Sequence, residues 1–87
     1  MSATIEFENE RVRVSRVRHD PHERHPRTTR ADRLVIYLDD GAVIRKEDGQ
    51  TLTIAHKRGD VVWRARSTHE IANTRGDAHE ALIIEFK

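Results

Sequence analysis

Apolar and polar residues alternate with a period of two along most of the chain. Ile5-Glu6-Phe7-Glu8 and Arg11-Val12-Arg13-Val14 each put apolar side chains on one side and charged ones on the other, as half-buried strands do. Asn9-Glu10 reads as the turn between them, and Asp20-Pro21-His22-Glu23 as another turn from its Asp-Pro start. Leu34-Val35-Ile36-Tyr37-Leu38 is an unbroken apolar run ending at Asp39-Asp40-Gly41, which predicts a strand buried on both faces. Ala42-Val43-Ile44-Arg45 and Thr51-Leu52-Thr53-Ile54-Ala55 flank Asp48-Gly49, a strong hairpin signal. The Lys57-Arg58-Gly59-Asp60 turn leads to Val61-Val62-Trp63. A strand spacing then runs from His69 through Ile71 to Asn73, so the capping-box look of Ser67-Thr68-His69-Glu70 is discounted. Thr74-Arg75-Gly76-Asp77 turns into a last apolar run, Ala81-Leu82-Ile83-Ile84-Glu85-Phe86. About eight short strands with turn signals every ~8–12 residues predict an all-β sandwich or barrel. No window shows a 3.6-residue apolar stripe.

Composition narrows the class. The 87 residues suit one domain, expected over 1–87. A domain this small buries only about 60–65% of its unfolded surface. Its apolar strands also offer more faces than one barrel interior needs, and covering the surplus with a second copy predicts a homodimer. There is no cysteine, so disulfides, thiolate metal sites and a Cys nucleophile are excluded. No apolar run approaches the ~20 residues of a membrane span. Met1 to Glu10 carries acids rather than a signal pattern, and the expected location is cytoplasmic. Net charge is +1, although residues 11–33 hold Arg11, Arg13, Arg16, Arg18, Arg24, Arg27, Arg30 and Arg33 against three acids. That cluster lacks base-stacking aromatics, so neither nucleic acid nor membrane is an expected partner.

The candidate chemistry lies in the histidines. His19, His22 and His25 are spaced by three, but Pro21 and Pro26 preclude the helix that would gather them, and they read as surface residues around a turn. His22-Glu23-Arg24-His25 lacks the four-residue spacing of a zincin helix. His56 and His79 adjoin turns and are expected to be exposed. No nucleophile elbow or phosphate-cradling glycine loop is present.

Residues 59–73 carry the most specific pattern: Gly59, a short apolar strand, a turn, then His69 with Asn73 four residues on. This resembles the second sequence motif of the cupins, with Ala65 and Ser67 at its usual proline and glycine. Phe7 to Val14, Asp32 to Gly41 and Ala81 to Lys87 are similar in order and spacing to the opening, central and closing strands of small single-domain bacterial cupins with a conserved, RmlC-like barrel. The resemblance implies a small cupin-type β-barrel (double-stranded β-helix, or jelly-roll) with His69 pointing inward as a metal ligand. The first cupin motif departs. Counting back from its closing glycine, Gly41, the glutamate position falls on Leu34, the paired histidines on Thr28 and Arg30, and the opening glycine on His22.

One imidazole holds a divalent ion poorly, and Arg30 puts a permanent cation where the metal would sit. Thr28, Arg30 and His69, in a barrel otherwise lined by Leu34, Ile36 and similar residues, suit a carboxylate or phosphate. The expected function is therefore metal-free, cofactor-free binding of a small anionic metabolite. Two alternatives stay open. One is a metal-dependent enzyme of the dioxygenase or isomerase kind, using Zn, Fe, Mn or Ni on His69 with His25 joined by a register slip. The other is a structural or regulatory barrel with a filled interior.

Overall fold

The computed structural model describes residues 2–87; Met1, the first residue of the expected domain and of the N-terminal stretch, lies outside them. Nine strands and no helix occur among the described residues: β1 (Ser2–Glu8), β2 (Val12–His19), β3 (Arg24–Arg30), β4 (Arg33–Tyr37), β5 (Gly41–Glu47), β6 (Gln50–His56), β7 (Val61–Arg64), β8 (Ser67–Ala72) and β9 (His79–Phe86). They form a five-stranded sheet in the order β1-β2-β9-β4-β7 and a four-stranded sheet in the order β3-β8-β5-β6. All neighbouring strands run antiparallel. The fold is all-β, as the alternation predicts.

Local chemistry explains the connections. Glu47 pairs with Gln50 across Asp48-Gly49, whose φ angles of 51° and 76° are those of a tight hairpin turn that twists with its strands. At the next turn Lys57 N donates to Asp60 Oδ2 at 2.8 Å, and Gly59 takes φ 89° while its N–H donates to the Tyr37 carbonyl at 2.7 Å. The chain crosses between the sheets at Asp20–Glu23, where Glu23 N donates to Asp20 O at 3.2 Å.

Period two decides what faces inward. On β2 the inner row is Ser15, Val17 and His19; on β9 it is His79, Ala81 and Ile83, opposite them in register. Val17, Val35, Tyr37, Val43 and Ala81 form the buried apolar core, with Val62 and Ile83 packed against the Val35–Tyr37–Ala81 cluster.

Two expectations are corrected. The run at 34–38 is not buried on both faces: Arg33, Val35 and Tyr37 are buried, whereas Leu34 and Ile36 are half-buried on the outer side. An unbroken apolar run does not mark its inner face, and a slip of one residue exchanges the two. Leu34 and Ile36 thus do not line the interior. The second correction is β3, which the pattern missed because RHPRTTR has no apolar alternation. It forms by pairing with β8. Pro26 falls where the register shifts between His25 and Thr28, a bulge that absorbs its missing N–H.

Candidate functional site

The two sheets enclose a cavity of about 90 Å³. A buried water needs about 10–15 Å³, so several waters or one small ion fit. Val17, Val35, Tyr37 and Val43 line its middle. Cationic guanidinium groups gather towards one end and imidazoles towards the other.

The basic end contains Arg30, Arg33, Arg45, Arg64 and His69. Thr28 sits directly opposite His69 across the β3–β8 pair, and Arg30 opposite Ser67. Thr28 is exposed, with its hydroxyl donating to Pro26 O at 3.1 Å. Arg30 is half-buried and forms an ion pair with Glu85 at 3.6 Å. His69 is only 6% exposed. Thr28, Arg30, His69 and His25 therefore all stand on one cavity wall.

Sequence reasoning missed Arg33 and Arg45. Arg33 is 3% exposed, and its guanidinium donates to the carbonyls of Ala31 at 3.1 Å and Ala65 at 3.4 Å. Burial, reinforced by Arg45 and Arg30, pulls its pKa down to about 10, which still leaves it charged at neutral pH. Arg45 Nη2 donates to Glu47 Oε2 at 3.0 Å and to Ser67 Oγ at 2.9 Å. Ser67 Oγ lies 3.1 Å from His69 Nδ1. Arginine can only donate, so Ser67 accepts from it. Among the described hydrogen bonds, the hydroxyl proton then has one acceptor, His69 Nδ1. This assigns the imidazole proton to Nε2. Burial, then the charges of Arg45 and Arg33, holds the His69 pKa down to about 4, so the ring is neutral.

The imidazole end corrects the histidine expectations. His22 is exposed at the turn, in a left-handed conformation with φ 58°. His56 and His79, expected outside, are 5% and 4% exposed. His19 and His25 line the cavity. The rings form a continuous series: His25 meets His19 edge-on at 4.7 Å, His19 stacks on His79 at 5.2 Å, His79 meets His56 at 5.2 Å, and His56 stacks on Tyr37 at 3.9 Å. Strand parity was the available signal, since His19 continues Ser15 and Val17 while His79 precedes Ala81 and Ile83. Gly41 makes room for this packing: a Cβ there would stand 3.1 Å from His56 Cε1. Asn73, 1% exposed, fastens the adjoining turn. Its side-chain amide donates to Asp20 O at 3.0 Å and Asp77 O at 2.9 Å, with a longer 3.4 Å contact to His19 O, and its backbone N–H donates to Glu23 O at 2.8 Å.

Solved structures share this fold along nearly the whole chain. A cupin domain from Bordetella pertussis superposes with a TM-score of 0.93 at 23% identity, covering 99% of this chain and 92% of its own. This is the cupin fold. A cupin superfamily protein from Desulfitobacterium hafniense matches at TM-score 0.74 and 21% identity, over 98% of this chain and 75% of its own. An RmlC-like cupin with a double-stranded β-helix from Methanocaldococcus jannaschii matches at 0.74 and 16%, over 98% and 80%. No protein-family model and no curated protein matches the sequence. No helix among the described residues is long and apolar enough to cross a membrane.

The positions where cupins hold their metal do not fit one here. Leu34 faces out of the cavity, Arg30 is cationic, and Thr28 directs its hydroxyl proton to Pro26. The acceptor nitrogen of His69 is taken by Ser67, and Arg33 and Arg45 face the ring.

Proposed function

We propose that the basic end of the cupin barrel binds a small carboxylate or phosphate, with Arg30 and His69 as anchors and Thr28 as a further donor once its hydroxyl turns from Pro26 O. The observation that carries this reading is Arg33, a guanidinium 3% exposed whose described hydrogen bonds go to two carbonyls and to no carboxylate. A buried cation without a bonded counter-charge is costly, and an anion entering the cavity would offset that cost. Arg30 adds a second donor fork, and the Nε2–H of His69 a neutral donor, which suits an anion better than a metal. The polar groups converge within an otherwise apolar wall, the usual form of a small-molecule site. The open cavity favours this over a filled, purely structural barrel. A cytoplasmic location and a metal-free anion site belong to the same proposal.

Thermal-shift screening against small carboxylates and phosphates tests it. A specific anion at 100 times its Kd should add about 2.7 kcal/mol of stability. Arg30→Ala should weaken the response at least tenfold. Failure of every anion, or an undiminished response in Arg30→Ala, would remove Arg30 as anchor.

The outer face of the five-stranded sheet supports a second proposal, a homodimer. One rung of paired residues crosses all five strands as Phe7, Val14, Ile84, Leu34 and Trp63. Phe7, Val61 and Trp63 are each more than half exposed there. A contiguous apolar face of this kind is a feature of association surfaces.

A further inference from the structure

We propose that His19, Glu23 and His25 form a divalent transition-metal site at the imidazole end of the cavity, on residues separate from Thr28, Arg30, Leu34 and His69. One ligand atom from each lies within 4.8 Å of the others. His19 closes β2 in one sheet, His25 opens β3 in the other, and Glu23 stands on the turn between them. An ion here would staple the sheets at their crossing.

Unsatisfied ring nitrogens are the strongest support. His19 Nδ1, His25 Nε2 and His79 Nε2 are buried with no hydrogen-bond partner among the described residues. Buried polar atoms are rarely left so, and the stacking of His19 between His25 and His79 gathers these three in one place. A neutral imidazole has one ring lone pair to give to a divalent ion; the charge of Arg30 also reaches these rings, so the carboxylate of Glu23 is needed beside them.

Glu23 supplies the negative charge. Its Oε2 accepts from Asp20 N at 2.8 Å and stands 4.0 Å from His25 Nε2. The turn is held in place by Asn73 through the carbonyls of Asp20 and Glu23. Ligands bound tetrahedrally at about 2.0–2.1 Å lie about 3.4 Å from one another, so closing on an ion needs a contraction of up to about 1.4 Å, within the reach of side-chain rotation. Two imidazoles and one carboxylate select Zn²⁺, Fe²⁺, Co²⁺ or Ni²⁺ over Ca²⁺ and Mg²⁺, and leave positions for water or substrate.

The inference is independent of the anion site, and the test keeps them apart. The full chain, stripped with a chelator, is titrated with Zn²⁺ against a chromophoric competitor, and with Co²⁺ by its visible absorption. We expect one equivalent per chain, affinity at least tenfold lower in His25→Gln and in Glu23→Gln, and unchanged affinity in His69→Gln. Zn²⁺-induced shifts of the ring nitrogens of His19 and His25 in the unmodified protein give a readout that does not depend on a variant folding. Absence of binding at micromolar Zn²⁺, full affinity in both ligand variants, loss in His69→Gln, or shifts confined to other histidines would each overturn the assignment.

Discussion

Acidification should unfold this protein through a histidine it keeps neutral. His69 is 6% exposed, and burial together with Arg45 and Arg33 lowers its pKa from 6.5 to about 4. The unfolded chain binds that proton more readily, so the stability His69 contributes is fully present above pH 6.5 and is lost as pH falls towards 4. At about 1.36 kcal/mol per pKa unit the full shift corresponds to an upper bound of about 3 kcal/mol. The ring borders a cavity large enough for water, and screening there reduces the expected value to about 1–2 kcal/mol. Near pH 5, about halfway between the two pKa values, unfolding should take up most of one proton at His69 before screening, a slope of about 1 kcal/mol per pH unit. His56 and His79, lowered first by burial, act in the same direction. The assay is urea denaturation between pH 7.5 and 4.5, with a chelator present and without small carboxylates or phosphate in the buffer. The unmodified protein should lose stability below pH 6.5, and after screening His69→Gln should remove roughly half a proton from the slope. Equal slopes for the two proteins, or an NMR pKa above 6 for His69, would refute the reasoning.

Two further outcomes follow from packing. Gly41→Ala would place a methyl 3.1 Å from His56 Cε1 and 3.3 Å from Nε2, on a ring held by stacking on Tyr37 at 3.9 Å and by the 2.9 Å contact of Nδ1 with Asp39 O. The ring has little room to retreat, so urea denaturation should show a loss of about 1–3 kcal/mol; unchanged stability would mean the ring is free to move. Trp63→Lys puts a charge into the apolar rung of the outer sheet, beside Phe86 at 5.8 Å between ring centres. Light scattering at micromolar concentration should report a dimer for the unmodified chain and a monomer for the variant. A monomer in both cases removes the dimer.

Most of the fold was legible because one physical signal, alternation of apolar and polar residues, repeats in nearly every strand. It failed where that signal was missing or saturated. β3 has no apolar alternation and is recruited by backbone pairing with β8, a long-range event that a local pattern does not contain. β4 is apolar at four of its five positions, so its inner face could not be distinguished from its outer one. Arg33 is the one residue that marks the face. It points inward, against the usual preference of arginine, because two carbonyls receive it. The site was partly legible for the same reason. Motif spacing located His69 and, counted back from Gly41, Thr28 and Arg30 on the facing strand, although the same count put Leu34 inside. Arg45, His19 and His79 follow from extending the parity of their strands past the last apolar residue. His56 and His79 were misjudged because proximity to a turn was taken to mean exposure, whereas parity governs up to the last paired residue.

Burial acts on the two ends of the cavity in opposite senses. Desolvation disfavours the charged form of every group there, but the outcome depends on the starting pKa. Arginine begins so high that even at about 10 Arg33 remains cationic at neutral pH, whereas His19 and His69 at about 4 are neutral. The same low-dielectric interior thus yields a cluster of guanidinium groups at Arg30, Arg33 and Arg45 and a wall of neutral rings at His19, His25 and His79, with the charge of Arg30 still acting on His19 and His25. Along β9 the rungs bearing these groups, at Glu85 and at His79, are separated by six residues, about 20 Å of strand. The guanidinium groups concentrate at the first end and Glu23 stands at the second, so the two ends differ in the charge they favour. On the two proposed readings, Arg30 opposite Ser67 suits that end of the barrel to an anion, and the imidazole end is the part of the cavity suited to a metal ion.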